Sequence, residues 1–466
     1  MSPPLRILAY KPRPEVQTIR MERLMTCEPL ELEYLYTVLD GHQVTLLDGM
    51  TDHRNPVRVA RKTNAQVVLV TSFITNIHSV LRLAKELKAL PQPPLVFVGG
   101  PHAEVVPEHF FGEGVDGVFF ANQLAAIVAV VGRVARGEPF SDVGGAAFRA
   151  NGSFVRNVAQ PLAPSQLPLP KRVLFEQDPD RYYYLYYRQC ASIKTAFGCN
   201  EHCNFCFCTK MHGGHYGPRP LESVMDEIES IQARNIFVLD DNFLSSRNRV
   251  LKFSEMIRQR GLHERKEFVV YGVAHFIARH RDVMAELRRS GVTGVIVGFE
   301  AIQDGDLQSM NKSASQADND ATVEICQELD IELFALFIVF PHWTDDDFRR
   351  LAEYVRSRGI TFATFATHTI LPGTDLAAGT ALTVRRSEPA ERKWWRYDLL
   401  RLHERPTRMS PLRFYLWLLY LYMVPSLGAA SRKKLLRRFG FFGFVKAAVA
   451  SWLVGLEYLV KLFLWK

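Results

Sequence analysis

The chain has 466 residues, of which 47% are hydrophobic and 23% charged; this globular composition excludes a disordered or collagen-like chain and a multi-span membrane protein. Its length predicts two or three domains, each with its own core. The net charge of +8 is unevenly placed: Arg405 to Lys466 hold eleven Lys or Arg and one acidic residue, Glu457, a net of +10, so the preceding 404 residues carry −2 and a nucleic-acid-binding body is excluded.

In chain order, residues 1–150 alternate strands and helices. Apolar runs at 6–10, 43–48, 65–71 and 94–98 predict buried strands, and 30–40 and 77–90 repeat apolar residues at helical spacing. This predicts an α/β, Rossmann-like, parallel sheet whose ligand lies beyond the carboxyl ends of its strands. Thr71, Ser72, Gly99 and Gly100 stand at those ends, with His102 close behind. Residues 151–191 read as a linker, because Pro161, Pro164, Pro168 and Pro170 favour an extended connection. The aromatic run 182–187 predicts an element packed between domains or one lining an organic substrate pocket.

Residues 192–382 repeat a strand–helix unit. Strands are expected at 192–196, 236–239, 268–272, 294–299, 332–339 and 361–371, and helices at 221–233, 249–260, 281–289, 317–329 and 344–358. Six units are too few for a closed eight-stranded barrel and predict a partial (β/α)6, TIM-like barrel with its site at the carboxyl ends of the strands. Residues 383–466 are helical, basic and apolar. Their run 413–427 meets Pro425, and 439–465 is interrupted by Lys446, Glu457 and Lys461. A membrane span needs about 20 mostly apolar residues, so both runs predict helices that pack on the body or lie in a membrane interface. The first eleven residues hold no charged stretch followed by a long apolar run, so no signal peptide is expected and the cytoplasm is the expected compartment.

Seven cysteines are present, five of them between 190 and 208, a clustering that suits a metal site better than a disulfide framework. Cys199, Cys203 and Cys206 have the spacing C-x3-C-x2-C directly after an expected strand. Thiolates suit iron–sulfur clusters or zinc. Three thiolates leave one iron of a four-iron cluster open to a substrate or cofactor. A zinc knuckle completed by Cys190, Cys208 or His202 is the alternative, although the second C-x2-C pair that such sites use is missing. Cys27 and Cys326 read as small core residues.

The cysteine spacing resembles that of the radical S-adenosylmethionine (SAM) superfamily, over about 185 residues. Further matches follow in order. Asp240-Asp241 close the second strand, Gly298-Phe299-Glu300 resembles the family's Gly-Ile-Glu, Met310-Asn311-Lys312 its Met-Asn-Lys, and Pro372-Gly373-Thr374 its Pro-Gly-Thr turn. The resemblance implies that Cys199, Cys203 and Cys206 ligate a 4Fe-4S cluster and that Asp240 and Asp241 face SAM. It also implies that Glu300 binds the SAM ribose or amino group and Lys312 the carboxylate. One electron from the cluster would then cleave SAM and release the 5′-deoxyadenosyl radical.

The first segment narrows the branch. Val98-Gly99-Gly100-Pro101-His102-Ala103, followed by Pro107-Glu108 and Val115-Asp116-Gly117, resembles the cobalamin-binding domain that precedes many radical SAM domains; an ordinary flavodoxin-like domain is the alternative. By this resemblance Thr71, Ser72, Gly99, Gly100 and His102 face cobalamin. No Asp-x-His-x-x-Gly motif offers a histidine below cobalt, and Phe119 to Gln123 replace the usual Gly-Glu-type loop; His102 is not expected to ligate cobalt.

Together these features imply a cobalamin-dependent methyltransferase acting on an unactivated carbon, supplied by a one-electron reductant such as flavodoxin or ferredoxin. A radical SAM oxidative cyclase with the same cofactors is the alternative, and a non-catalytic cobalamin and cluster sensor a third reading. Cys206-Phe207-Cys208 resembles the hopanoid C-3 methylase branch, on two residues only. The basic, apolar tail points to a lipophilic small-molecule substrate and to peripheral contact with the inner face of a membrane.

Overall fold

In the computed structural model, which describes residues 3–20, 22–159, 164–378 and 392–464, strands β1 (Arg6–Lys11), β2 (Gln43–Asp48), β3 (Val67–Thr71), β4 (Leu95–Gly99) and β5 (Gly117–Phe119) run parallel in the order β2-β1-β3-β4-β5. The central strands are apolar on both faces because both faces are covered. Helix α2 (Ile77–Lys88) buries Ile77, Val80, Leu83 and Leu87 with Val68, Val70, Val96 and Val98 on one side. On the other side α1 (Leu30–Val38) and α3 (Gln123–Arg136) bury Leu32, Leu35, Ile127 and Val130 with Val67, Leu69 and Phe97. Strands β6 (Ala146–Ala150) and β7 (Ser153–Arg156) extend the sheet antiparallel through a tight Asn151-Gly152 turn. The boundary expected at 150 therefore falls on the tip of a hairpin, and the sheet runs on to Arg156.

The second sheet is wholly parallel and open: β8 (Cys190–Ile193), β9 (Asn235–Val238), β10 (Glu267–Gly272), β11 (Val292–Glu300), β12 (Glu332–Val339) and β13 (Phe362–Thr367) lie side by side in chain order. The boundary expected at 191–192 falls inside β8. Helices α4 (Leu221–Ser230), α5 (Arg247–Gln259), α6 (Arg281–Arg289), α7 (Gln316–Glu328) and α8 (Asp345–Ser357) cover one face. Capping boxes at Ser315/Asp318 and Thr344/Asp347 start the last two. The aromatic run 182–187 packs between the domains as strand rather than helix: Tyr183 and Tyr184 pair with Thr26 and Met25 of the first domain, and Tyr183 Oη donates to Glu22 O (2.7 Å). Tyr184 and Tyr187 fill the inner face of the barrel against Phe237, Val269, Ile296 and Phe334, closing its lower end. Leu239, Tyr271 and Leu336 continue that wall and are only half-buried.

The boundary expected at 382–383 lies outside the described residues. From Arg392 the chain returns to the first domain, an excursion not foreseen from the sequence: Trp394, 1% exposed, and Tyr397 join the core beneath α2. Helix α9 (Pro411–Leu427) then packs Phe414, Leu418 and Leu421 on the barrel. Its Tyr422 hydroxyl accepts from Phe365 N (3.3 Å) and donates to Phe365 O (2.8 Å), satisfying the open edge of β13. Helix α10 (Ala429–Leu464) follows, with a non-helical break at Gly440.

Four charged side chains, all buried, join the domains. Arg172 donates to both oxygens of Glu28 (2.6 and 2.7 Å) and to Glu227 (2.6 Å). Arg219 donates to the other Glu227 oxygen (2.6 Å) and to Lys194 O (2.8 Å), and Glu28 accepts from Ser192 N (2.5 Å). Arg172→Met removes the partner of two buried carboxylates and is expected to destabilise the fold by about 3–5 kcal/mol, read as a lowered urea midpoint. The Glu28→Gln/Arg172→Met double variant should recover part of the loss. A midpoint unchanged in the single variant would refute the coupling.

Candidate active site

The three cysteines lie in the loop that follows β8, and its root is built by two aspartates. Asp240 accepts from Thr195 N (2.6 Å), Thr195 Oγ1 (2.5 Å) and Ala196 N (3.0 Å). Asp241 Oδ2 accepts from Lys194 Nζ and Gly198 N, each at 3.0 Å. Asp240, expected to face a cofactor, spends both oxygens on the chain, while Asp241, expected to do the same, spends Oδ2, and both shape the cysteine loop. Its outer side is clasped by the segment after β11: Asn204 N donates to Met310 O (3.2 Å), Asn204 Nδ2 to Ser309 O (2.9 Å), Asn311 Nδ2 to His202 O (2.6 Å) and Ser313 Oγ to Glu201 Oε2 (2.7 Å). Of these, Ser309 and Ser313 stood outside the motifs legible in the sequence.

Cys203 is buried and Cys199 and Cys206 half-buried, and all seven cysteines are free. Burial pushes the Cys199 thiol up to about 12 and the Cys203 thiol up to about 11; Lys312 opposes the shift at Cys203. The neighbouring Cys208 thiol hydrogen-bonds Cys206 and holds it below its ordinary value. Among the described residues no three His, Cys, Asp or Glu groups close round a single ion. Three thiols on one loop are soft donors that suit a four-iron cluster, which takes each thiolate on a different iron and leaves the fourth iron open. The donor set fits the cluster.

Lys312 Nζ lies 3.1 Å from Glu300 Oε1, both side chains nearly buried. Glu300 ends β11 at a break in register and has φ +62°, an uncommon backbone state for a non-glycine residue and one typical of functional bulges. A Cβ at Gly298 would stand 2.1 Å from Glu300 Oε1 and 3.2 Å from Lys312 Nζ, so this glycine makes room for the pair. Burial lowers the Lys312 ammonium, but Glu300 and the cysteines outweigh it and the net shift is upward. The result is a fixed cation and anion beside Cys203, matched to the carboxylate and amine of an amino-acid group.

At the carboxyl edge of the first sheet, Gly100 has φ +97°, and a Cβ there would lie 2.5 Å from Thr71 Oγ1 and 2.6 Å from Ser72 N. The glycine lets the loops after β3 and β4 close on each other. Ser72 donates to Asn76 Oδ1 (2.8 Å), and its N–H to Gly99 O (2.8 Å). Gln123, whose role was not foreseen, accepts from Gly100 N (2.8 Å). His102 turns into the core: its Nε2 is 2.9 Å from His109 Nδ1, and the His109 ring lies tilted by 42° against Trp394 at 4.5 Å. Burial holds both imidazoles neutral, His102 down at about 3 and His109 at about 4. Ser72 and His102 thus support the loops. The edge itself presents backbone and Phe73, 38% exposed, a surface that fits a broad ligand with an apolar face and an amide rim.

The two carboxyl edges meet. Glu104, just after Gly100, accepts from His212 N (2.7 Å) in the cysteine loop and lies 3.2 Å from His212 Nδ1. Gly373, in the turn after β13, packs against Val105 and Val106.

Gly298→Ala is expected to keep the cluster, read by iron content and visible absorbance, while displacing Glu300 and Lys312 and cutting SAM cleavage by about 100-fold. Unchanged 5′-deoxyadenosine formation would count against the role of the pair. Cys203→Ala is expected to lose the cluster.

Residues 17–131 match the model of the B12 binding domain and residues 193–355 that of the radical SAM superfamily. The chain is 25% identical over 361 residues to hopanoid C-3 methylase of Methylococcus capsulatus, spanning 75% of this chain and 68% of that protein. It is 23% identical over 392 residues to bacteriochlorophyllide d C-12(1)-methyltransferase of Chlorobaculum tepidum, spanning 82% and 79%. The fold matches that of TsrM, a radical SAM methyltransferase of Kitasatospora setae solved with cobalamin and an iron–sulfur cluster bound, with a TM-score of 0.64, 20% identity and coverage of 80% and 77%. With both domain models matched in this order, the chain belongs to the cobalamin-dependent radical SAM methyltransferase family, whose cofactors are a 4Fe-4S cluster, SAM and cobalamin.

Proposed function

We propose that the protein methylates an unactivated carbon of a lipophilic small molecule. The observation that carries this reading is the meeting of the two carboxyl edges through Glu104 and His212 and through Gly373 and Val105. When bound, the three cofactors supply a carbon-centred radical and a transferable methyl group, the first at the barrel and the second at the first domain.

The chain's own contribution is placement. Cys199, Cys203 and Cys206 hold the cluster, and Lys312 with Glu300 binds the amino-acid end of SAM. The loops at Thr71, Gly99 and Gly100 seat cobalamin. The Tyr184–Tyr187 plug closes the lower barrel to water, and the half-buried wall of Leu239, Tyr271 and Leu336 accepts an apolar body. Two of the relatives are named for a hopanoid and a bacteriochlorophyllide, which favours a polycyclic lipid or a tetrapyrrole. Flavodoxin or ferredoxin in the cytoplasm would supply the electron.

The test is anaerobic incubation with methyl-labelled SAM, a reductant and candidate polycyclic lipids and tetrapyrroles. Label should enter a product heavier than its substrate by one CH2, with 5′-deoxyadenosine formed alongside, and Cys203→Ala should abolish both. Deoxyadenosine without a methylated product would overturn methyl transfer, and a product lighter by two hydrogens would assign the oxidative cyclase instead.

A further inference from the structure

Among the described residues twenty large apolar side chains are exposed, and twelve of them fall between Leu412 and Val460. Beyond Gly440, α10 carries Phe442, Val445, Val449, Trp452, Leu456 and Val460 at steps of three or four, a single stripe along the helix. Phe442 is 87% exposed and Trp452 66%. An apolar face of this extent is unusual on a free surface.

The far end of the helix is fixed to the body. Tyr458 Oη donates to Leu400 O (3.0 Å), and Lys461 Nζ donates to Thr18 O (2.5 Å) and pairs with Glu457 at 2.6 Å. The stripe is therefore held in place while it faces outward. Arg432 and Lys433, before the break, and Lys446, within the stripe's helix, are exposed and make no ion pair with the described residues.

Two occupants could cover such a face, a second copy or a bilayer, and charge decides between them. A second copy would bring the same unpaired cations, and the tail's one carboxylate, Glu457, is already bound to Lys461. An anionic lipid surface supplies the missing charge, and Trp and Phe are residues of the membrane interface. No single described helix is long and apolar enough to cross a membrane; the bent pair Pro411–Ser426 and Ser431–Lys446 reaches that hydropathy only jointly, and the first of these is held in the core by Phe414, Leu418 and Leu421.

We infer that α10 beyond Gly440 lies in the plane of an anionic bilayer surface. Its apolar stripe enters the acyl boundary, and Arg432, Lys433 and Lys446 rest on the headgroups. The inference extends the reading of a lipophilic substrate, which such a surface would store.

The test uses the full chain, reconstituted with its cofactors, in co-sedimentation with vesicles of phosphatidylcholine alone or with about 30 mol% phosphatidylglycerol. Binding is expected to the anionic vesicles and to weaken in high salt. Phe442→Ser/Trp452→Ser should weaken it by at least about 10-fold, and Arg432→Glu/Lys433→Glu by more than about 10-fold, roughly 5-fold for each charge removed. Both variants should keep the cofactor absorbance. No sedimentation with either vesicle at low salt would overturn the inference, as would binding that ignores Phe442→Ser/Trp452→Ser. A dimer in vesicle-free solution that this variant dissolves would also overturn it, in favour of self-association. Vesicle binding with methylation of a water-soluble substrate would leave the docking surface standing and defeat the lipophilic reading. A methylated lipid in detergent without vesicle binding would do the reverse.

Discussion

The placement of the two domains depends on one buried ion network. Arg172, Glu28, Glu227 and Arg219 balance in charge, but only when the linker, the segment before α1, the root of β8 and the start of α4 come together. Such a network adds little stability over an apolar core of the same volume. Its guanidinium Nε atoms at Arg172 and Arg219 even lack hydrogen-bond partners among the described residues. What it supplies is register, because any separation of the domains leaves full charges in a poor solvent. It also lies directly under the chemistry: Arg219 holds Lys194 O, and Lys194 in turn pairs with Asp241, which holds Gly198 at the start of the cysteine loop.

From that base the site divides into groups that bind and groups that hold. Cys199, Cys203, Cys206, Lys312 and Glu300 keep atoms available for a ligand or sit at the open end of the barrel. Asp240, Asp241, Ser72 and His102 are polar residues at strand ends whose main partners are the chain itself. The division follows from burial. A carboxylate as deeply buried as Asp240 must satisfy its oxygens locally, and Thr195 and Ala196 do so, which makes Asp240 a fixed point for the loop.

Much of this was legible in the sequence. Four strands of the first sheet and the six of the second follow from short apolar runs between helical repeats, and the spacing of Cys199, Cys203 and Cys206 marks the loop where the thiols gather. What was hidden is non-local. Whether Asp241 or His102 faces a ligand depends on loop closure, and a strand-end position alone does not encode that. The return of Trp394 and Tyr397 to the first domain joins segments about 300 residues apart. The β6–β7 hairpin did carry a local signal, Asn151-Gly152 between alternating residues, but that turn coincides with the compositional edge that reads as a linker. The tyrosine run reads from the sequence as packing between domains or as lining a pocket, and its place inside the barrel follows from the six strands around it.

The tail shows how one basic, apolar segment can serve two ends. Packing on the barrel and contact with a bilayer look like alternatives when read from composition, because either would explain the same Leu, Phe and Trp content. The structure divides them at Gly440. Before it, the side chains that face the barrel have partners: Tyr422 satisfies the open edge at Phe365, Lys434 pairs with Glu332 at 2.6 Å, and Phe439 meets Tyr186 edge-on at 5.4 Å. After it, Phe442, Val449 and Trp452 have none of that cover, although Tyr458 and Lys461 dock the helix firmly. A helix kept in place at its far end while its apolar face is left in water is costly unless something covers that face. Beyond the break Tyr458, Lys461 and Leu462 still pack on the body, while the stripe from Phe442 to Val460 answers to a different surface.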